Sequence, residues 1–130
     1  MLQDEGLANS FHEAGAGIAL FRLAPADYHR YHSPVSAVVG PTKNIEGDYY
    51  TVNPTAVNED LNVFTENKRD VTLLSVPQAG STPINVAFVA IGAMLVGSIK
   101  STVAEGQSVQ RGEELGYFGQ SCSFLSTVHH

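Results

Sequence analysis

The sequence predicts a mainly β (α+β) unit, with curved antiparallel sheets forming a barrel- or sandwich-like body and one or two short helical turns. Three observations carry this. Apolar residues fall in short runs of strand composition, rich in Val, Ile, Leu and Phe. Twelve glycines and six prolines among 130 residues break those runs at close intervals. Hydrophobic residues reach 43% and charged residues only 15%, below the ~25% usual for globular chains, so apolar burial can offset the ordering entropy of a core. At 13.9 kDa there is no room for a second full-sized core, and no linker or repeat divides the chain, so residues 1–130 are expected to form one unit.

The elements follow in order. Ala14 to Arg22 (AGAGIALFR) ends in an apolar run suited to a strand. Pro25 and Pro34 bracket Ala26 to Ser33, where Asp27 as an N-cap ahead of Tyr28-His29-Arg30-Tyr31 permits one helical turn. Pro34 pushes Ser33 out of helical dihedrals and ends that turn. Val35 to Val39 reads as a strand stopped by Gly40-Pro41. Asn44 to Asp48 carries turn residues, Tyr49 to Val52 has strand composition, and Leu61 to Thr65 makes a short strand. Asp70 to Val76 is another strand, followed by a loop from Pro77 to Pro83. Ile84 to Val96 is expected as one long buried strand or two with a bend at Gly92, since Val, Ile and Gly weigh against a helix. From Gly97 to Phe118 short strands alternate with turns at Gly106 and Gly112.

Charge and cysteine content remove several function classes. Seven Lys and Arg against thirteen Asp and Glu give a formal charge of −6, with no basic stripe to match a phosphate backbone, so nucleic acid is not expected as a partner. The single cysteine, Cys122, cannot form an internal disulfide. The polar start, Met1 to Gly6, resembles neither a signal peptide nor a transit peptide. The longest apolar stretch, Val86 to Val96, has eleven residues where a membrane helix needs ~20.

Candidate chemistry centres on His29 and His32. Three residues apart, they would share one face of a helical turn. Spacing alone leaves three readings open: surface or satisfied histidines, a catalytic pair, or part of a metal site. A zinc site needs further ligands, and His12, Asp27, His129 and His130 have no recognisable ligand spacing, so no metal is expected. Arg22, Asp27, Tyr28, Arg30 and Tyr31 crowd the pair on a proline-bracketed segment, where sites tend to sit. Near the C-terminus, Ser121 and Ser123 read as surface residues unless a base such as histidine activates one of them. Cys122 reads as a small apolar residue. Gly15-Ala16-Gly17 lacks the third glycine and the βαβ context of a dinucleotide fingerprint.

Phe21 to Val35, FRLAPADYHRYHSPV, closely resembles the phosphatidylserine decarboxylase family. The likeness continues through Ile45 to Pro54 (IEGDYYTVNP), Asn62 to Val71 (NVFTENKRDV), Val86 to Ile99 (VAFVAIGAMLVGSI) and Glu105 to Phe118 (EGQSVQRGEELGYF). It covers residues 11 to 118, looks most like the fungal members, and leaves 119–130 as a divergent tail. The resemblance implies a carboxy-lyase made as a zymogen that cuts itself at a Gly-Ser bond and turns the serine into a pyruvoyl cofactor. It would convert phosphatidylserine to phosphatidylethanolamine and CO2, the pyruvoyl carbonyl acting as electron sink. By the same pattern His32 is the base that activates the serine hydroxyl, His29 serves substrate and decarboxylation, and Ser123 is the serine that becomes pyruvoyl.

The chain departs from the pattern in three places. Cys122 replaces the glycine before the scissile bond and resists the strained backbone that glycine permits. The family's orienting aspartate lies in an Asp-Gly motif, whereas Asp4 here is followed by Glu5, so that role is not transferred. The residues after Ser123 do not resemble the family's small pyruvoyl chain, and Gly80-Ser81-Thr82 falls where the family has only a loop. These departures predict a partial domain that does not process itself. The alternatives are a decarboxylase of a free amino acid such as tryptophan on the same scaffold, or a non-catalytic fragment. A lipid substrate implies peripheral attachment at the mitochondrial inner membrane or at Golgi or endosomal membranes, the targeting region lying upstream. Association with its own cleaved chain or a second copy is a further expectation.

Overall fold

Two apolar runs either side of the Pro77–Pro83 loop pair antiparallel along their whole length, from Arg69↔Ile91 to Val76↔Ile84. The computed structural model describes residues 1–24, 26–50, 63–94, 96 and 98–119. Its elements are α1 (Glu5–Glu13), β1 (Arg30–His32), β2 (Ala37–Ile45), α2 (Val63–Glu66), β3 (Arg69–Val76), β4 (Ile84–Ile91), β5 (Ser98–Ser101), β6 (Ser108–Val109) and β7 (Glu114–Gly119). They form a four-stranded sheet ordered β4-β3-β2-β6 and a three-stranded sheet ordered β1-β7-β5. One sheet curls into a half-barrel and the other is a small antiparallel sheet, so the chain has the expected mainly β architecture with short helices.

The core lies where the two sheets meet. Ala37, Val39, Leu74, Val109 and Leu115 are buried together, with Tyr31, Val35, Val76, Val86, Phe88 and Val103 packed around them. Alternation selects these residues: Ala37 and Val39 face in while Val38 faces out. Tyr31 closes the seam, its ring stacked on Phe88 of β4 at 5.3 Å and tilted against Phe118 of β7 at 5.2 Å. Its hydroxyl donates to the Lys100 carbonyl on β5. Such close approach requires glycine at 116, where a Cβ would overlap the Tyr31 ring and the Lys100 carbonyl oxygen.

Several elements differ from the sequence expectation, each for a local reason. β2 does not stop at Gly40-Pro41 but runs on to Ile45. Pairing jumps from Val39↔Leu74 to Thr42↔Thr72, so Gly40 and Pro41 together oppose Leu73 in a bulge. A bulge is a sheet position that tolerates the missing proline N–H. The small residue at 40 fits as well, since a Cβ there would lie 3.0 Å from the Leu73 carbonyl oxygen. The helical turn expected over Ala26–Ser33 is replaced by β1, because antiparallel pairing with β7 (Arg30↔Tyr117, Tyr31↔Gly116) outweighs the local cap signal. Asp27 still organises a turn, accepting from the Ala24 N–H at 2.6 Å.

No strand forms over Ala14 to Arg22; α1 precedes it instead. Asp4 caps that helix by accepting from the Leu7 N–H at 2.9 Å. At the other end Gly15 takes φ +65°, and bonds from Ala16 N–H to Phe11 O and Gly15 N–H to His12 O close a Schellman motif. Gly15-Ala16-Gly17 is therefore a helix stop. Val63 to Thr65, expected as strand, lies in the single turn α2, whose Thr65 carbonyl accepts from buried Arg69. Thr51 to Asn62, including half of the expected Tyr49–Val52 strand, lies outside the described residues. Ile84 to Val96 resolves into β4, which ends at Ile91 just before Gly92, and an Ala93↔Val96 bridge beyond it.

Two outcomes test this packing. Gly116→Ala should cost about 1–3 kcal/mol in urea unfolding, whereas Gly17→Ala, whose added methyl meets nothing, should stay within about 0.5 kcal/mol of wild type. Burial, reinforced by the charge of Asp70, pushes the Tyr31 phenol up to about 12 from its ordinary 10.0. Between those values the folded state holds a proton the unfolded chain has lost. Stability present below about pH 10 therefore falls as pH rises towards 12, by on the order of 2 kcal/mol, and Tyr31→Phe should remove that slope.

Candidate active site

Burial of Tyr31 sets the alternation of β1, turning Arg30 and His32 outward on either side of it. A register shift between Tyr31 and His32 brings His32 opposite Glu114. The chain leaving His32 is then clasped to the turn Gln110–Glu113. Ser33 N–H donates to the Glu113 carbonyl at 2.8 Å, and Gly112 N–H returns a bond to the Ser33 carbonyl at 2.8 Å. Glu113 N–H closes the turn on Gln110 O at 3.0 Å, with Gly112 at φ +87° in the left-handed position such a turn requires. Ser33 is buried and its hydroxyl donates to the Val35 carbonyl at 2.6 Å.

This clasp fixes the His32 imidazole. Nδ1 lies 2.8 Å from the Gly112 carbonyl oxygen, which can only accept, so Nδ1 carries the proton. In its neutral form the ring then presents a lone pair at Nε2, where the Tyr28 hydroxyl donates at 2.9 Å. The Tyr28 and His32 rings stack at 5.6 Å and 17°. His29 is held by the same logic from the other direction. Its Nδ1 sits 2.5 Å from the Asp27 carbonyl, and its own carbonyl accepts from Phe118 N–H at 2.8 Å. Two backbone carbonyls thus set both tautomers, and both histidines offer Nε2 as base or acceptor.

The helical face proposed for the pair does not exist, because the segment is strand. The two histidines share one short stretch but take separate anchors. Arg30 pairs with Glu114 at 2.6 Å and lies 5.3 Å over the Tyr117 ring, an exposed arrangement worth under about 1 kcal/mol. Ser123 and Cys122 lie outside the described residues. Asp4 is committed to capping α1. Ser81 sits in the exposed Pro77–Pro83 loop, donating to Gln78. Among the described residues no group of three or more His, Cys, Asp or Glu is placed to hold a metal ion, and no helix is long and apolar enough to cross a membrane. Spacing did not mark Tyr28 and Gly112 as site residues. A tyrosine four residues before a histidine carries no strand signal, and the Gly112 carbonyl reaches the site only through a contact across 80 residues.

Two imidazoles on one short stretch of a β-rich chain are thus each fixed by a backbone carbonyl at Nδ1. The sequence model of the phosphatidylserine decarboxylase family matches residues 1–126, and the chain belongs to that family. It is 52% identical over 114 residues to phosphatidylserine decarboxylase proenzyme 3 of Schizosaccharomyces pombe, covering 88% of this chain and 11% of the relative. Over 102 residues it is 53% identical to proenzyme 2 of Oryza sativa subsp. japonica, covering 78% and 16%. Against the proenzyme of Chlamydia muridarum it is 41% identical over 118 residues, covering 91% and 37%. The chain thus spans about a tenth of the yeast relative's length and just over a third of the bacterial one's.

Gly112→Ala places a side chain at φ +87° and should cost about 1–3 kcal/mol. It should also broaden or shift the His32 Nδ1–H signal in long-range nitrogen–proton spectra while leaving that of His29 in place.

Proposed function

We propose that this chain supplies the histidine-bearing part of a phosphatidylserine decarboxylase, which forms phosphatidylethanolamine and CO2 from phosphatidylserine. The observation that carries this is His32, its tautomer fixed by Gly112 and its Nε2 turned outward. A serine hydroxyl is a poor nucleophile until a base takes its proton as it attacks. His32 Nε2 is that base, and Ser123 stands at the position of the hydroxyl whose attack on the preceding peptide carbonyl cuts the chain in a self-processing member of the family. By the family pattern that serine would become a pyruvoyl group. When present, the group supplies a carbonyl that accepts the electron pair left behind as CO2 departs. His29 Nε2 serves the decarboxylation step, holding or returning the proton at the reacting carbon.

A lipid substrate is favoured over a free amino acid by the apolar side chains upstream of the histidines. Ile18 and Phe21 are 84% and 88% exposed, and Leu20 more than half. The formal charge of −6 makes electrostatic adsorption to anionic lipid weak, so contact with a membrane surface rests on such apolar groups. Cys122, standing where the family carries glycine, keeps this chain uncut on incubation, as a single species in mass spectrometry.

Function is tested by exchanging residues 11–118 for the matching segment of the Schizosaccharomyces pombe relative, whose own serine region is kept. The chimera should cleave itself and form phosphatidylethanolamine from phosphatidylserine vesicles but not release CO2 from free tryptophan. His32→Ala should leave it uncut. His29→Ala should leave cleavage but slow decarboxylation by about a hundredfold or more. Normal cleavage by the His32→Ala chimera would remove the proposal's basis.

A further inference from the structure

The Nε2 lone pair that the proposed base needs is already occupied. Neutral imidazole has one such lone pair, in the ring plane, and with Nδ1 protonated by its bond to Gly112 O it lies at Nε2. The Tyr28 hydroxyl donates to it at 2.9 Å. A second hydroxyl cannot take the same position while Tyr28 holds it. Tyr28 is not locked there by the core: it is 61% exposed, and its ring contact is the stack on His32 itself. His29 has the same carbonyl-fixed tautomer, yet no described residue donates to its Nε2.

We infer that Tyr28 is a positioning residue for His32, a displaceable occupant that holds the imidazole in plane and keeps Nε2 covered until a nucleophilic hydroxyl replaces it. This rests on His32 being the base. The exposed Tyr28 ring swings off together with its hydroxyl while the Gly112 carbonyl keeps the imidazole oriented, and the hydrogen bond that leaves is replaced by the incoming one. Tyr28 therefore competes directly with the serine hydroxyl for the base nitrogen. The bond joins residues four apart, so the turn at Ala24–Asp27 governs whether the occupant is in place.

The test is residue-resolved modification of the intact chain by diethyl pyrocarbonate, which acylates the unprotonated imidazole nitrogen, followed by peptide mass spectrometry. In Tyr28→Phe, which keeps the ring and loses the hydroxyl, His32 should react about fivefold faster while His29 keeps its wild-type rate. An unchanged His32 rate overturns the inference, as does equal acceleration of both histidines, which would mean a loosened turn. A second measurement does not depend on a variant's folding. In the wild-type chain the His32 Nε2 nitrogen resonance should carry the upfield displacement of an accepted hydrogen bond relative to His29, and its absence also overturns the inference. Neither readout requires chain cleavage. If His32 is not the base, the His32→Ala chimera cleaves normally whatever the labelling shows, so the two failures are told apart.

Discussion

Tyr31 sits between the two sheets with Phe88 on one side and Phe118 on the other, its hydroxyl on the Lys100 carbonyl across the face of Gly116. Aromatic contacts of this kind bind two layers that share few backbone hydrogen bonds. Because successive strand residues point to opposite faces, seating Tyr31 inward leaves no choice for its neighbours. Arg30 and His32 must face out, and the chain after His32 must meet the Gln110–Glu113 turn. The His32 imidazole is therefore placed by the inward seating of its neighbour Tyr31, and moving the Tyr31 ring would move it, whatever became of the hydrogen bonds around His32.

A second anchor holds the far end of the larger sheet and is polar throughout. Asn67 is fully buried and saturates its amide with Tyr50 N–H, Tyr50 O and Gly92 O at 2.8 to 3.0 Å. Arg69 is 1% exposed and donates to the carbonyls of Met1, Thr65 and Asn67. Desolvation draws its pKa down, yet a guanidinium stays charged, so these carbonyl dipoles stand where a carboxylate partner would otherwise be needed. The arrangement ties α2, the start of β3 and the turn after β4 into one junction. Gly47 belongs to it too, since a Cβ there would overlap the Glu66 carbonyl oxygen. Hydrogen-bonded buried groups such as Asn67 and Arg69 define a single geometry, which apolar packing alone specifies less sharply, although Asp70 Oδ1 at the start of β3 is buried without a partner among the described residues.

What was legible in the sequence is what short-range chemistry decides. The β3–loop–β4 hairpin follows from two apolar runs and a proline-bounded loop. The turns at Gly106 and Gly112 follow from glycine's access to φ +87°. What was not legible depends on partners distant in sequence. Asp27 signals a helix start, but β7 lies across from Arg30 and Tyr31 and its pairing prevails. Gly40-Pro41 signals a strand end, but Leu73 offers a bulge that absorbs both residues. Asp4 and Gly15 do carry a cap and a stop, yet the apolar run after Gly17 draws attention to a strand that has no partner among the described residues. At the site, family likeness picks out His32 and His29, whereas Gly112 and Tyr28 emerge only from the contacts.

The Gly112 carbonyl also defines what the described site provides. An acceptor at Nδ1 does two separable things for a histidine base: it fixes the tautomer, and it stabilises the imidazolium formed when the proton arrives. A backbone carbonyl does the first as well as a carboxylate, because either can only accept. It does the second less well, because a dipole offers an imidazolium less than a full charge at the same distance. The backbone thus orients His32 without bringing a full charge to Nδ1. Tyr28 can serve either state, since its hydroxyl donates to a bare Nε2 and can turn to accept from one that carries a proton. The described residues therefore separate orientation from charge: β1 and the Gly112 turn aim the imidazole, and what stands at its Nδ1 is a dipole.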